Sequence, residues 1–407
     1  MECHPECNLL LQPQGTPQQL SGERAAEGLG RSLLWRRSGL LACLTFVACA
    51  ALTTKGRFGL QQSSSISAGD DPTAMVNLAL GAAPRKGSFL VLGDWGFDHQ
   101  IHGNAAPACQ KKIADMMLAT MRELGDVKFV INVGDSFYPD GVKNKTDWQW
   151  DAKWRRVYAP ELRAVPWYSV YGNHDYQHDP CACATDALGC AQVHTNSSDR
   201  NFFYMPSYNF FVEHPELDLE VVAMDLNDYM WGWFKQAPEY SKCAWSCAIS
   251  PCQKGCEYSL RARAEEAEKL LNERMAKSTT KNMIVFSHYP TDYLWSNRDL
   301  LRSLSDASKH HVEYFGGHRH NVDQNSTISI APNNNWLVGG GGGWGCDVLK
   351  GIPQQQGFVV GEIDAFGQIT TRPVLIDNSA CCVKPPPAPA PKPGPSPGPP
   401  RCMSKVR

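Results

Sequence analysis

The sequence has little net charge of either sign. Its 407 residues include 39 lysines and arginines and 41 aspartates and glutamates, which gives a formal net charge of −2. Proteins that bind nucleic acid or an anionic membrane surface usually carry excess positive charge, so we expect neither partner here. A hydrophobic content of 43% is ordinary for a globular protein and is enough for a sizeable core.

Long hydrophobic runs are also missing. The most marked run, Gly39 to Leu52, is short for a membrane span but has the length of a signal-peptide core. Arg36-Arg37 precede it, and Ala48-Cys49-Ala50 resembles a cleavage site. We predict that residues 38–54 are a signal peptide or a signal-anchor, with a buried core helix as the remaining alternative. The first two place the folded part outside the cytosol: secreted, tethered through residues 39–52, or in an acidic compartment.

The chain lacks the phosphate-binding loop of nucleotide hydrolases. Its glycine-rich stretch, Val338 to Gly345, does not end in Gly-Lys-Ser or Gly-Lys-Thr. We therefore predict a close-packed loop near the candidate site described below, without a catalytic role of its own.

Cysteine, by contrast, is abundant. Sixteen are present, nine of them between Cys109 and Cys346, and seven of the nine form two tight groups: Cys181, Cys183 and Cys190, and Cys243, Cys247, Cys252 and Cys256. The second group also has a zinc-like spacing, but disulfides of a secreted chain are favoured. Sequons at Asn144, Asn196 and Asn325 agree with that compartment. The odd number of cysteines in this span leaves one thiol free or paired with a cysteine of the tail.

Composition divides the chain into segments. Residues 1–37 are polar and without periodicity, so we predict that they are disordered. Residues 55–87 have the composition of a linker, and residues 379–407 form a proline-rich, disordered tail. The folded domain is predicted at residues 88–378.

The folded domain begins with a predicted β-α-β unit. Apolar runs end before Asp94 and Asp135, and between them apolar residues recur at helical spacing from Ile113 to Leu124. The two strands should therefore be parallel. Further predicted elements are helices at 147–158, 260–275 and 298–307, strands at 202–204, 208–212 and 219–224, an irregular insertion at 227–257 and a closing hairpin at 358–371.

Five apolar runs in this domain end in residues that carry oxygen or imidazole donors. The five segments are Gly93-Asp94-Trp95-Gly96, Gly134-Asp135-Ser136-Phe137-Tyr138, Gly172-Asn173-His174-Asp175, Ser287-His288-Tyr289-Pro290 and Gly317-His318-Arg319-His320. Open α/β sheets place their sites at the carboxyl ends of strands, so these side chains should meet. Carboxylate, phenol, amide and imidazole groups together are the donors of a metal site.

This set resembles the metallophosphoesterase superfamily and, within it, the purple acid phosphatases in their short, tartrate-resistant form. The motifs Asp-x-Gly, Gly-Asp-x-x-Tyr, Gly-Asn-His-Asp, Val-x-x-His and Gly-His-x-His stand in the family's order within Ser88 to Asp377. Two details select the subfamily: Gly96, where most relatives have His, and Tyr138. The resemblance implies an α/β fold of the sandwich kind, with two packed mixed β-sheets flanked by helices.

The resemblance also implies a centre of two metal ions. Fe(III) would be held by Asp94, Asp135, Tyr138 and His320. Fe(II), Zn(II) or Mn(II) would be held by Asp135, Asn173, His288 and His318, with Asp135 bridging the two ions. The donor types agree, because the first set is rich in oxygen anions and the second has two imidazoles and an amide.

Three other residues lie beside the implied ligands. In the family the residue at His174 faces the phosphate and assists the leaving group, so His174 is the candidate catalytic residue. Its alternative is a hydrogen-bonded loop histidine. Asp175 is a candidate for orienting His174. Arg319 stands where the family often has aspartate. Side chains two apart in an extended segment point the same way, so Arg319, between His318 and His320, should point away from the metals.

The implied function is an acid phosphatase that hydrolyses phosphomonoesters with a metal-bound hydroxide. The expected partner is a small phosphorylated substrate, with no nucleic acid, and the protein is expected to be a monomer. Two alternatives stay open at this stage: hydrolysis of a diester or pyrophosphate on the same metals, and a catalytically silent surface protein that binds partners through its Cys-rich insertions.

Overall fold

The computed structural model describes residues 84–96, 109–176, 192–193, 203–228, 253–344, 351, 353–377 and 381. The predicted leader, six of the seven grouped cysteines (all but Cys256) and almost all of the linker and tail lie outside these residues. In the described part of the chain, no helix is both long enough and apolar enough to cross a membrane.

The chain forms two six-stranded sheets. The strands are β1 (Arg85–Leu92), β2 (Val127–Asn132), β3 (Trp167–Ser169), β4 (Phe203–Tyr204), β5 (Phe210–His214), β6 (Leu219–Ala223), β7 (Asn282–Phe286), β8 (His311–Gly316), β9 (Val322–Asp323), β10 (Asn334–Val338), β11 (Gln356–Asp364) and β12 (Ile369–Ile376). The first sheet has the order β12-β11-β1-β2-β3-β4, and the second has the order β5-β6-β7-β8-β10-β9.

Both sheets are mixed. Strands β1 to β4 are parallel to one another, and β11 and β12 continue that sheet in antiparallel fashion. In the second sheet β6, β7, β8 and β10 are parallel, whereas β5 and β9 close its edges as antiparallel strands. The parallel β-α-β start and the closing hairpin are confirmed.

The helices cover the outer faces. They are α1 (Cys109–Leu124), α2 (Pro160–Arg163), α3 (Gln253–Lys277) and α4 (Arg298–Ser305). Successive residues of a strand face opposite sides, so in β1 Phe89 and Val91 pack between the sheets while Leu90 and Leu92 pack toward α1. Strand β7 is likewise buried on both faces, toward the other sheet and toward α3 and α4. Burial on both faces explains why these strands are continuous apolar runs. The predicted two-sheet fold is confirmed.

Two predicted elements differ in detail. The helix predicted at 147–158 is a short π-helix, Trp150–Arg155, in which the Arg156 amide donates to Asp151 O at 3.0 Å. There Trp154 packs against Trp95 and Trp167, so burial of aromatic rings, rather than a regular apolar stripe, organises this segment. Helix α3 begins at Gln253, inside the predicted irregular insertion.

A disulfide joins the first helix to the predicted tail. Cys109, at the start of α1, is bonded to Cys381, which lies within the predicted tail. Both cysteines are buried and belong to the apolar cluster beneath α1. A core-span cysteine is therefore paired with a tail cysteine, one of the two outcomes that the odd count left open.

Candidate metal centre

The predicted site residues meet at the carboxyl ends of strands from both sheets. Asp94 follows β1, Asp135 and Tyr138 follow β2, Asn173 follows β3, His288 follows β7, and His318 and His320 follow β8. The structure brings all seven together, along with His174, in two groups that share Asp135.

The first group surrounds the Tyr138 hydroxyl. Its oxygen lies 3.1 Å from Asp94 Oδ1, 3.1 Å from Asp135 Oδ2 and 3.4 Å from His320 Nε2. His320 Nε2 is 3.7 Å from Asp94 Oδ1. Neighbouring donors on one ion at a bond length of about 2.1 Å lie about 3 Å apart, so these four side chains fit a single metal ion.

The second group surrounds the Asn173 side-chain oxygen. His318 Nδ1 lies 2.8 Å from it and His288 Nε2 lies 3.1 Å from it, while the two ring nitrogens are 3.3 Å apart. Asp135 Oδ2 is 3.4 Å from His288 Nε2. His288 Nδ1 donates to the Val133 carbonyl at 2.9 Å, which leaves Nε2 as the ligating nitrogen. This donor set also fits one metal ion, and Asp135, His288 and His318 are close enough to hold it.

The backbone at the site is unusual. Asp94, Asp135 and His318 have φ values of 56°, 49° and 70°, in the left-handed region that side chains other than glycine rarely adopt. This conformation lets each strand end in a sharp turn that places its side chain over the sheet edge.

Glycine is required at two motif positions because a carboxylate of a neighbouring turn lies against the backbone there. A Cβ at Gly172 would lie 2.1 Å from Asp135 Oδ1, and a Cβ at Gly317 would lie 2.5 Å from Asp94 Oδ2. The motif glycines therefore leave room for the carboxylates of the neighbouring strands.

The pKa values of the two buried carboxyl groups, Asp135 and Asp94, are shifted in opposite directions. Burial opposes ionisation of Asp135, but the charges of His288 and His174 outweigh it and hold the pKa of that carboxyl below its usual range. Burial raises the pKa of Asp94 to about 7, against the attraction of His288. Burial likewise opposes protonation of His288, but Asp135 raises the pKa of that imidazole to about 9. Asp135 is thus the strongest anion of the set.

The Tyr138 phenol holds its proton firmly among the protein groups alone. Burial, followed by the charges of Asp135 and Asp94, raises its pKa well above the ordinary value. A phenolate at this position therefore requires a cation beside it.

His174 lies against the first group. Its backbone amide donates to Asp135 Oδ1 at 2.8 Å, and its Nδ1 donates to the Pro139 carbonyl at 2.6 Å. This hydrogen bond fixes the tautomer in which Nδ1 carries a proton. Burial lowers the pKa of the His174 imidazole.

Asp175 and Arg319 connect the site loops to each other. Asp175 accepts from Gly172 N at 2.9 Å, from Ser136 N at 3.0 Å and from Gln192 Nε2 at 2.8 Å, so these bonds join the turns after β2 and β3. They give no sign of the predicted role in orienting His174. Arg319 is turned away from the ligands, as predicted, and forms an ion pair with Asp292 at 3.0 Å.

The glycine-rich stretch lies against the site. A Cβ at Gly339 would be 3.0 Å from Asp94 Oδ2, which confirms the predicted close-packed loop. Trp344, near the end of this stretch, contacts the rings of Tyr138, His174 and His320. The sequence gives no signal for this role, because a lone tryptophan among glycines matches no recognisable motif.

The calcineurin-like phosphoesterase family model matches residues 87–322. Purple acid phosphatase 7 of Arabidopsis thaliana is 35% identical over 133 residues, which are 31% of this chain and 38% of that protein. Purple acid phosphatase 4 of the same plant is 29% identical over 261 residues, 63% of this chain and 68% of that protein. Tartrate-resistant acid phosphatase type 5 of Sus scrofa is 35% identical over 246 residues, 58% of this chain and 64% of that protein. The matched stretches thus span from 38% to 68% of these relatives, and the predicted resemblance is confirmed.

Proposed function

The chain belongs to the calcineurin-like phosphoesterase family, and on that premise we propose that it is a phosphomonoesterase of the purple acid phosphatase type. The observation that supports the finer assignment is the position of Tyr138. Its hydroxyl lies within 3.4 Å of donor atoms from Asp94, Asp135 and His320, where it can join them on one ion. The named relatives are acid phosphatases of this type.

The proposed cofactor is a pair of metal ions. Asp94, Tyr138 and His320 would hold Fe(III), while Asn173, His288 and His318 would hold Fe(II), Zn(II) or Mn(II), and Asp135 would contribute to both sets. When bound, such a pair polarises the phosphate oxygens and activates water as the nucleophile. The remaining roles belong to the protein.

His174 is the proposed proton donor to the leaving oxygen. Its Nδ1 hydrogen bond to Pro139 fixes the tautomer and the ring, so Nε2 carries the proton that moves. Burial lowers the pKa of His174, and a bound phosphate dianion opposes that effect because a nearby negative charge favours the imidazolium. The donor form is lost as pH rises, which favours activity on the acid side of neutrality.

The substrate class is tested by comparing two phenyl esters. The metal-loaded protein is assayed with phenyl phosphate, a monoester, and with diphenyl phosphate, a diester. We expect a kcat/KM at least about tenfold higher for the monoester and loss of both rates after the metals are removed by a chelator. Asp135→Asn should abolish the activity, because it removes the central anion of both groups.

The matched control for that variant is Asp299→Asn, at an exposed position of α4, which should keep the wild-type rate. Faster hydrolysis of the diester would replace the proposal with a phosphodiesterase. Absence of hydrolysis in a protein that holds both metals would replace it with the silent binding protein.

The compartment stays a prediction of the sequence. Asn144 and Asn325, the sequon residues within the described part of the chain, are both exposed. Exposure and the Cys109–Cys381 disulfide support an extracytoplasmic domain.

A further inference from the structure

The glycine run after β10 is shaped by its contact with the Asp94 turn. Gly341 N donates to Gly93 O at 2.9 Å, and Gly343 N donates to Asp94 O at 2.8 Å. A Cβ at Gly341 would lie 2.2 Å from Gly93 O, and one at Gly343 would lie 2.1 Å from Trp95 O. Only glycine permits this approach, so the run follows the backbone of a metal-site turn and delivers the next residue, Trp344, to the site.

The Trp344 indole contacts three rings of the candidate centre. Its centroid lies 5.5 Å from that of His320, with the rings nearly parallel at 21°. It lies 5.1 Å from the Tyr138 ring and 5.3 Å from the His174 ring. Trp344 is nonetheless partly exposed. An indole held against a ligand and the proposed proton donor, yet still open to solvent, forms part of the rim of the site.

A second aromatic ring borders the other metal group. The Tyr293 ring lies 5.1 Å from the His318 ring and 5.6 Å from the Tyr289 ring, and it is also partly exposed. Arg319, the charged residue between His318 and His320, is instead engaged with Asp292 and does not offer its charge to a second phosphate. Among the residues that the structure describes, two partly exposed aromatic rings, Trp344 and Tyr293, therefore border the centre.

We propose that Trp344 is a specificity-determining residue that stacks on an aromatic group of the phosphomonoester. The inference rests on the proposed function, since it assigns the organic half of the same substrate. The phosphate would occupy the centre between the two donor groups. The aromatic group would lie against the indole beside His174, where the leaving oxygen departs.

The test uses two esters that differ only in aromaticity. Benzyl phosphate and cyclohexylmethyl phosphate both release a primary alcohol, so the proton donor is needed similarly for each. Aromatic pairing contributes roughly threefold to tenfold in binding beyond area burial. We expect wild-type kcat/KM to favour benzyl phosphate by about that factor and Trp344→Ala to lose the preference. Trp344→Phe should keep most of it.

A binding measurement separates specificity from damage to the centre. Benzylphosphonate and cyclohexylmethylphosphonate, which cannot be hydrolysed at a P–O–C bond, are titrated calorimetrically into the same proteins, and the metal content of each is measured. The expected result is a wild-type preference for benzylphosphonate that Trp344→Ala loses while both metals stay bound. Phe366→Ala removes an exposed aromatic ring in the β11–β12 turn and should change neither preference.

The possible results distinguish failure of the proposed role of Trp344 from failure of the proposed phosphomonoesterase activity. Equal preference in wild type and Trp344→Ala, with both esters hydrolysed, overturns the role of Trp344 and leaves the phosphomonoesterase intact. Loss of metal from both Trp344→Ala and Trp344→Phe overturns it as well, because the indole then supports His320 rather than the substrate. Failure of the wild type to hydrolyse either ester overturns both proposals.

Discussion

At the scale of single residues, Asp135 is the group on which the centre depends. Its Oδ2 contacts both Tyr138 and His288, and its Oδ1 accepts from the His174 amide. One carboxylate thus touches both donor groups and the turn of the proposed proton donor. The left-handed backbone that places it costs on the order of 1–3 kcal/mol, which the surrounding contacts must offset.

A His174 variant tests whether proton donation and metal binding belong to different residues. His174→Ala removes the proposed proton donor but none of the seven donors, so the variant should keep both metals and lose about a hundredfold in kcat. The loss should be larger for an alkyl phosphate than for 4-nitrophenyl phosphate, because the nitrophenolate departs without a proton. The measurements are metal content and kcat for each ester.

His320→Ala is the contrasting variant, because it removes one of the four donors of the first group, Asp94, Asp135, Tyr138 and His320. It should lose metal as well as activity. If His174→Ala also loses metal, or slows both esters equally, His174 is a structural residue and the proton has another source.

At the scale of elements, the turn after each strand is shaped by its neighbour. Gly172 N donates to the Asp175 carboxylate while the Gly172 Cα faces Asp135, so the turns after β2 and β3 form one interlocked unit. The Asp175 carboxyl group, which joins the two turns, is buried, and this burial raises its pKa to about 7.

Gly172→Ala should therefore displace the Asp135 carboxylate from its position in the centre. The new methyl group would meet Asp135 Oδ1 at 2.1 Å and Asp135 N at 2.5 Å, so the turn must move. We expect metal affinity to fall at least about tenfold and stability to fall by about 1–3 kcal/mol. Metal titration and denaturant unfolding measure the two effects.

Gly255→Ala, in helix α3, is the matched control because a Cβ there meets nothing within 4 Å. Alanine is the better helix former by about 1 kcal/mol, so this variant should be as stable as the wild type or more stable, with unchanged metal affinity. Wild-type metal affinity in Gly172→Ala would show that the Asp135 position is not set by this contact.

The same elements show what the sequence could predict. Strand β7 and the candidate ligand His288 could be predicted because a strand buried on both faces is a continuous apolar run that stops at a polar turn. The π-helix at Trp150–Arg155 was not, because its form depends on aromatic contacts with residues distant in sequence. The position of Trp344 could not be predicted either, because it depends on the hydrogen bonds between the glycine run and the Asp94 turn, which are distant in sequence.

At the scale of the whole molecule, the centre lies where two sheets meet. Asp94, Asp135, Tyr138 and Asn173 come from the sheet that contains β1, and His288, His318 and His320 come from the sheet that contains β7. Each donor group draws on both sheets, so metal binding links them and should stabilise the folded state by mass action. The sequence motifs predicted that these side chains meet at the ends of the strands. The distances within the two donor groups could be obtained only from the folded structure.

The most direct test of the account is the metal content of the purified protein together with its visible absorption. Two metal ions per chain are expected, at least one of them iron, with a visible band from a phenolate bound to Fe(III). Tyr138→Phe should remove the band while the ring stays packed, and Asp94, Asp135 and His320 should still hold an ion. A colourless wild-type protein that carries two zinc ions and is most active at alkaline pH would contradict the purple phosphatase assignment and leave only the calcineurin-like phosphoesterase family.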